Sequence, residues 1–147
     1  MRKRIKGFTL VELLLVVTII LILAGMVVPR MAGRTEQARR AAAKVDIETN
    51  IAMALDLYEL DNGRYPTTEQ GLQSLITKPT SSPAPTNWSG PYLKKKSLPV
   101  DPWNRPYIYV SPGVHNAEDY DLYSYGPDGV EGGGDDVTNW EESHPQG

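Results

Sequence analysis

The chain has 147 residues, no cysteine and a formal net charge of −3. This length suits one modest domain, and a hydrophobic content of 40% argues against wholesale disorder. The absence of cysteine excludes a disulfide framework, a thiolate metal site and a cysteine nucleophile. The mildly acidic balance disfavours nucleic acid as a partner.

The start of the chain has the pattern of a membrane anchor. Four basic side chains within residues 1–7 precede an apolar run over residues 8–28, which contains a single charge, Glu12. As a helix this run is about 31 Å long, enough to cross a bilayer core. The basic residues before it predict a cytoplasmic N-terminus. A cleaved secretory signal is the alternative, but its apolar core is shorter and carries no acid.

Glu12 needs a positive partner, because a carboxylate inside hydrocarbon is costly to bury. No Lys or Arg lies between Gly7 and Arg30. Cleavage after Gly7 would expose an amine on Phe8, one helical turn before Glu12. That amine could pair with Glu12 of the same chain or of a neighbour; the alternative is a protonated Glu12 at the membrane interface.

A long helix is predicted to follow. Pro29 removes one helical hydrogen bond and crowds the carbonyl of Gly25, so residues 25–29 are expected to kink or to melt. Beyond them, residues 35–60 carry apolar side chains at helical spacing, and Gly63 is predicted to be the left-handed cap. We therefore expect one helix over residues 8–62, with its first half in lipid.

The remainder is predicted to form a small head. Residues 67–70 fit a capping box and precede a short helix that Pro79 ends. Residues 107–110 and 120–124 alternate like strands around a loop at residues 111–119. Two or three strands cannot cover a core alone, so the second half of the long helix must pack on them. The expected class is α+β.

The C-terminal region is acidic. Nine Asp or Glu follow Arg105, and no Lys or Arg does. Within residues 125–136 the acids alternate with glycines, and carboxylates brought together there would repel unless a cation joined them. Hard oxygen ligands without His or Cys favour Ca²⁺. The spacing differs from that of an EF-hand, and the alternative is a flexible acidic loop without metal.

Two sets of residues carry a resemblance to a known family. Residues 7–12, Gly-Phe-Thr-Leu-Val-Glu, resemble the cleavage and methylation motif of type IV pilins and type II secretion pseudopilins. The resemblance implies that a prepilin peptidase cleaves between Gly7 and Phe8 and methylates the Phe8 amine. It also implies that Glu12 docks an incoming subunit by neutralising that amine on its neighbour, with Pro29 and the helix around it also serving assembly.

The second set is similar to the signatures of the major pseudopilin family of type II secretion (general secretion pathway protein G). It comprises residues 62–72, 88–92, 101–107 and 121–124, and the likeness extends over nearly the whole chain. It implies a type IV pilin-like α+β fold with one Ca²⁺ in the C-terminal loop. The implied ligands are the side chains of Asp128, Asp135 and Asp136, with backbone carbonyls of Tyr125, Pro127 and Gly133.

The resemblance also implies a function. Residues 1–7 would be a leader, 8–28 a single inner-membrane span and assembly helix, 29–62 an amphipathic continuation and 63–147 a periplasmic head. Copies would stack into a helical pseudopilus that drives export of folded proteins across the outer membrane. The implied partners are further copies of the chain, minor pseudopilins, the prepilin peptidase and N-methyltransferase, an inner-membrane assembly platform and membrane lipid.

Three rivals to this hypothesis stay open at this point. A type IV pilin has the same N-terminus, although major type IV pilins usually close their C-terminal region with a disulfide. A minor pseudopilin and a membrane-anchored calcium-dependent binding module are the others; in the latter, Trp88, Tyr92 and Trp103 would form the ligand surface. An enzyme is disfavoured, since His115 and His144 are isolated and no catalytic triad or phosphate loop is present.

Overall fold

The computed structural model describes residues 7–141, apart from the side chains of residues 26–32. The chain divides between Gln37 and Ala38 into two units. Its elements are helix α1 (Leu10–Val45), a π-helical segment (Asp46–Ile51), helix α2 (Ala52–Asn62), a 3-10 turn (Leu72–Leu75) and strands β1 (Ile108–Val110), β2 (Asp121–Ser124) and β3 (Val137–Thr138). The α+β class expected from the sequence is confirmed.

Helix α1 begins with a hydrogen-bonded cap that the sequence analysis missed. The backbone N–H of Glu12 donates to Thr9 Oγ1 at 3.2 Å. Thr-x-x-Glu is the spacing of a capping box, in which Thr and Glu satisfy the free N–H groups of the first turn. Glu12 therefore suits the start of this helix regardless of any role in assembly.

Within the described part of the chain, no helix combines the length and the hydropathy that crossing a membrane requires. The leader side chains at residues 1–6 lie outside the described residues. So does the side chain of Pro29, at a position across which helix α1 is continuous.

The π-helical segment keeps one face of the helix on the core. Ala43, Ile47, Ile51 and Leu55 are each 0% exposed and are spaced four residues apart. In an α-helix this spacing drifts by about 40° at each step, because a turn takes 3.6 residues. The wider π turn counteracts the drift, so all four side chains stay buried. The sequence analysis predicted a regular helix here and missed this feature.

The predicted helix end and capping box are both confirmed. Gly63 ends helix α2 with φ 72° and ψ 13°, and its N–H donates to the carbonyl of Glu59. The N–H of Gln70 donates to Thr67 Oγ1 at 3.2 Å, and the N–H of Thr67 donates to Gln70 Oε1 at 3.1 Å. The short helix predicted to follow the box and to end at Pro79 is a single 3-10 turn, Leu72–Leu75.

The sheet is antiparallel, in the order β1-β2-β3. Tyr109 pairs with Leu122, as the predicted hairpin requires, while the pairing of Ser124 with Val137 adds a third strand that was not predicted. The described core lies in the second unit, and its buried hydrophobic side chains are Ala43, Ile47, Ile51, Ala54, Leu55, Tyr58, Leu72, Leu75, Tyr107, Tyr109, Tyr120, Leu122 and Val137.

Candidate functional site

The predicted processing residues lie before the first helix. Gly7, Phe8 and Thr9 are exposed and have no helical structure, and Phe8 is 80% exposed. The bond between Gly7 and Phe8 is therefore in an accessible, non-helical segment. Glu12 follows in the first turn of α1, where its side chain is also exposed.

Two polar residues before and within the sheet hold the base of the C-terminal loop. Asp101, 3% exposed, accepts hydrogen bonds from the N–H of Arg105 at 2.8 Å and from the Ser124 hydroxyl at 2.6 Å. The Ser124 oxygen accepts in turn from the N–H of Gly126 at 3.2 Å. The turn that leads into β1 is thus joined to the first residues of the loop after β2. The sequence analysis named residues 101–107 as part of a family signature but did not single out this buried carboxylate.

Glycines determine the path of the C-terminal loop, residues 125–136. All five of its glycines have positive φ, a conformation that other residues rarely adopt. A Cβ on Gly126 would overlap the carbonyl of Asp135, because the two ends of the loop pass against each other there. The loop therefore closes on itself.

This closure brings two of the three predicted carboxylates together. Asp128 Oδ2 and Asp135 Oδ1 lie 3.4 and 3.2 Å from the position that a Cβ on Gly133 would occupy. The N–H of Asp128 also donates to Asp135 Oδ2 at 3.2 Å. Two carboxylate oxygens, from opposite sides of the loop, thus approach the same point over Gly133.

The third predicted ligand lies in the same loop but is engaged elsewhere. Asp136 Oδ2 accepts a hydrogen bond from the N–H of Gly132 at 2.8 Å. Among residues 7–141, no group of three or more His, Asp or Glu side chains is close enough to hold a metal ion. The predicted three-carboxylate set is therefore not assembled, and calcium binding stays a prediction.

Arg105 contacts the loop from the turn before β1. Its Nη2 donates to the carbonyl of Gly126 at 2.8 Å and to that of Pro127 at 3.0 Å. The Pro127 carbonyl, a predicted calcium ligand, thus already has one donor, although a carbonyl oxygen has a second lone pair. The sequence analysis named Arg105 only as the last basic residue of the chain. Its position before an acidic stretch was a signal that could have singled it out.

A second loop, residues 111–119 between β1 and β2, closes around a single carboxylate. Asp121, 2% exposed, accepts backbone N–H bonds from Val114, His115 and Asn116 at 2.7 to 2.9 Å. Burial alone would raise the pKa of Asp121, but the donors from His115, Asn116 and Val114 outweigh it and leave this pKa below its ordinary value. His115 Nδ1 is 3.2 Å from the same carboxylate, and its ring stacks on Trp140.

Two of the three aromatic residues that would form the ligand surface of a binding module, Trp88 and Tyr92, pack on each other. Trp88 donates from Nε1 to the carbonyl of Ser74 at 2.8 Å and lies edge-on to Tyr92, and Tyr92 donates to Asp61 at 2.8 Å. Trp88 thus anchors its loop to the 3-10 turn. Trp103 is also partly buried against the core.

Comparison with known proteins gives two family matches. The family described as "Type II secretion system (T2SS), protein G" matches residues 30–140, and the "Prokaryotic N-terminal methylation motif" matches residues 2–28.

The chain belongs to the protein G family of the type II secretion system.

Individual relatives agree with the protein G assignment. The type II secretion system core protein G of Pseudomonas aeruginosa is 51% identical over 144 residues, which are 95% of this chain and 98% of that protein. The one from Vibrio cholerae is 48% identical over 144 residues, or 95% of this chain and 94% of that protein.

A solved structure agrees as well. The crystal structure of the major pseudopilin from the type 2 secretion system of enterohaemorrhagic Escherichia coli matches with a TM-score of 0.65 and 40% identity. It covers 77% of this chain and 93% of that one. These matches favour the protein G family over a type IV pilin, a minor pseudopilin or a membrane-anchored binding module.

Proposed function

We propose that the protein is the major structural subunit of a type II secretion pseudopilus. Copies assemble into a helical filament that drives export of folded proteins across the outer membrane. Membership of the protein G family supports this role, and one structural observation carries it. Every Leu, Ile and Val side chain from Leu10 to Leu23 is at least 45% exposed. Such a continuous apolar surface calls for lipid or for other copies of the helix to cover it.

Processing at the N-terminus precedes assembly in this proposal. A prepilin peptidase cuts between Gly7 and Phe8 and methylates the new amine. The methylation-motif match and the exposed, non-helical position of this bond support it. Gly7→Leu should leave an unprocessed precursor, detected by its larger mass in mass spectrometry or as a larger band on an immunoblot. Gly33→Ala, at another exposed glycine, should be processed normally; processing of both variants would remove Gly7 from the cleavage site.

Glu12 then pairs with the Phe8 amine of a neighbouring subunit. Both variants keep the backbone bond of residue 12 to Thr9 Oγ1. Glu12→Gln removes the charge and keeps a side chain that suits a capping box, whereas Glu12→Ala removes the charge and that side chain. We expect both variants to be cleaved and both to form few filaments, counted by electron microscopy after overexpression. Glu69→Gln, at an exposed head carboxylate, is the control. Normal filaments from Glu12→Gln would show that the charge has no part in docking.

The proposed location is the inner membrane, with residues 8–28 inserted and the head in the periplasm. The hydropathy of that run and the methylation-motif match support it. The proposed partners are other copies of the chain, minor pseudopilins, the assembly platform and lipid. The role is structural and involves no catalytic step. Membrane fractionation tests the location: recovery of the unassembled protein in the soluble periplasmic fraction would contradict it.

We also propose that the C-terminal loop binds one Ca²⁺. Two of the predicted ligands already meet the requirements of such an ion. Carboxylate oxygens of Asp128 and Asp135 approach the same point over Gly133, and Ca²⁺ prefers hard oxygen ligands. Asp136 and the carbonyls of Tyr125, Pro127 and Gly133 would complete the set. Bound Ca²⁺ would offset the repulsion between the carboxylates and fix the glycine-rich loop.

A further inference from the structure

Arg105 lies at the junction between the turn before β1 and the C-terminal loop. Its guanidinium donates to two consecutive carbonyls, those of Gly126 and Pro127, at 2.8 and 3.0 Å. A Cβ on Gly129 would overlap the same guanidinium, so the loop wraps closely around it. Arg105 thus contacts the backbone at Gly126, Pro127 and Gly129, and these contacts hold the first half of the loop in its conformation.

The base of Arg105 is itself fixed. Its N–H donates to the buried carboxylate of Asp101 at 2.8 Å, and its carbonyl accepts from the N–H of Asp101 at 2.8 Å. Asp101 also accepts from Ser124, the last residue of β2. The guanidinium is thus presented to the loop from a turn that is hydrogen-bonded to the sheet, and its position does not rely on the loop it holds.

We propose that Arg105 is a positioning residue for calcium: it holds residues 126–129 in their binding conformation before the ion arrives. This inference rests on the proposed calcium binding. A glycine-rich segment loses much conformational entropy when it becomes ordered, and any part already ordered lowers that cost at the moment of binding. Arg105 orders the first half of the loop and leaves the carboxylates of Asp128 and Asp135 for the metal.

The positive charge of Arg105 acts in the opposite direction, because it repels a second cation. This repulsion is weakened by water and salt, since Asp128 and residues 130–134 are exposed. The ordering cost, in contrast, applies to each residue of the segment. We therefore expect positioning to outweigh repulsion, so that the loss of Arg105 weakens calcium binding.

Isothermal titration of Ca²⁺ into the full chain in detergent tests this inference with three variants. Arg105→Gln removes the charge and both hydrogen bonds and should weaken the calcium Kd about tenfold, the scale seen when groups that orient metal ligands are lost. Arg105→Lys keeps the charge on a shorter side chain with a single donor nitrogen and should weaken it less. Lys44→Gln removes a charge from an exposed side chain that is paired with Glu48 at 3.5 Å, and should leave the Kd within about twofold of wild type.

The outcomes separate positioning from repulsion. Tighter binding by Arg105→Gln, or an unchanged Kd in both Arg105 variants, would overturn the inference. A purely structural role would lower the melting temperature equally with Ca²⁺ and with EGTA and leave the Kd unchanged, which would also overturn it. In EGTA, we further expect faster hydrogen exchange at residues 126–129 in Arg105→Gln than in wild type.

The wild-type titration distinguishes failure of the inference from failure of the proposed metal site. If the wild-type chain binds no Ca²⁺, both the metal proposal and the role of Arg105 in it are wrong. If wild type binds Ca²⁺ and the Arg105 variants bind equally well, only the inference is wrong.

Discussion

Two acidic loops of the head are closed in different ways. Residues 111–119 wrap around one buried carboxylate, Asp121, which accepts three backbone N–H bonds. Residues 125–136 place Asp128 and Asp135 near each other, and Asp128 is exposed. The first loop gives its one carboxylate three N–H donors. The second gives each of Asp128, Asp135 and Asp136 one N–H donor and leaves Asp128 and Asp135 close together, a repulsion that the proposed Ca²⁺ would offset.

This difference gives the two loops different dependences on solution conditions. A carboxylate satisfied by backbone N–H groups stabilises the fold whether or not metal is present. Facing carboxylates stabilise it only when an ion is bound to the folded state. Arg105 gives the second loop some stability that does not depend on metal, because its positively charged side chain donates to two carbonyls in the first half of that loop.

The largest expected effect is in the first loop. Asp121→Ala leaves three N–H groups without their acceptor and should lower the free energy of unfolding by about 3 kcal/mol. The loss should be the same in Ca²⁺ and in EGTA. Urea unfolding followed by tryptophan fluorescence measures it, because all three tryptophans lie in the head. A change below about 0.5 kcal/mol would show that this carboxylate does not close the loop.

Chelation should have the next largest effect, and only through the second loop. Removing Ca²⁺ present at 100 times its Kd should lower the free energy of unfolding by about 2.7 kcal/mol. Asp128→Ala should lower stability in Ca²⁺ and lose most of the response to EGTA, while Asp121→Ala keeps the full response. Identical unfolding curves of the wild-type chain with and without Ca²⁺ would contradict the metal site.

A smaller effect is expected from Gly132→Ala. Its φ is 93° and nothing lies within 4 Å of an added Cβ, so only backbone strain opposes the change. We expect a loss of about 1 kcal/mol in Ca²⁺. Gly126→Ala, which would also overlap Asp135, should cost more. Equal costs would indicate that the loop ends do not pack as closely as described.

Acid should produce the smallest difference. The pKa of Asp121 is lowered in the folded protein, so its contribution to stability is complete above the ordinary value of 3.8 and is lost as the pH falls below it. The free energy of unfolding of the wild-type chain should therefore fall more steeply in this range than that of Asp121→Asn. Parallel curves would show that Asp121 titrates normally.

Local signals in the sequence predicted the local features of the fold. Gly63 as a helix cap and the box of Thr67 and Gln70 depend on residues within four positions of each other, and both are confirmed. The alternating segments around Tyr109 and Leu122 likewise predicted the hairpin. Thr9 and Glu12 show the same kind of signal, but it was missed because Glu12 was interpreted only through its charge.

Features that depend on distant residues were not predicted. Strand β3 has two residues, too few for a pattern, and exists because Val137 pairs with Ser124. Asp101 and Arg105 act on a loop more than twenty residues away. The structure brings Asp128 and Asp135 together, while their predicted role as calcium ligands stays a prediction. The side-chain position of Asp136, which faces Gly132, could not be deduced from spacing alone.

The π-helical segment has a consequence for how this chain can change in length. Each residue of an α-helix turns the chain by about 100°. Inserting or deleting one residue between Ala43 and Leu55 would therefore turn a different side of residues 38–45 toward the sheet, although every side chain stayed the same. A substitution in this stretch alters the contacts of one side chain. An insertion or deletion alters the contacts of every helical residue between position 38 and the site of the change.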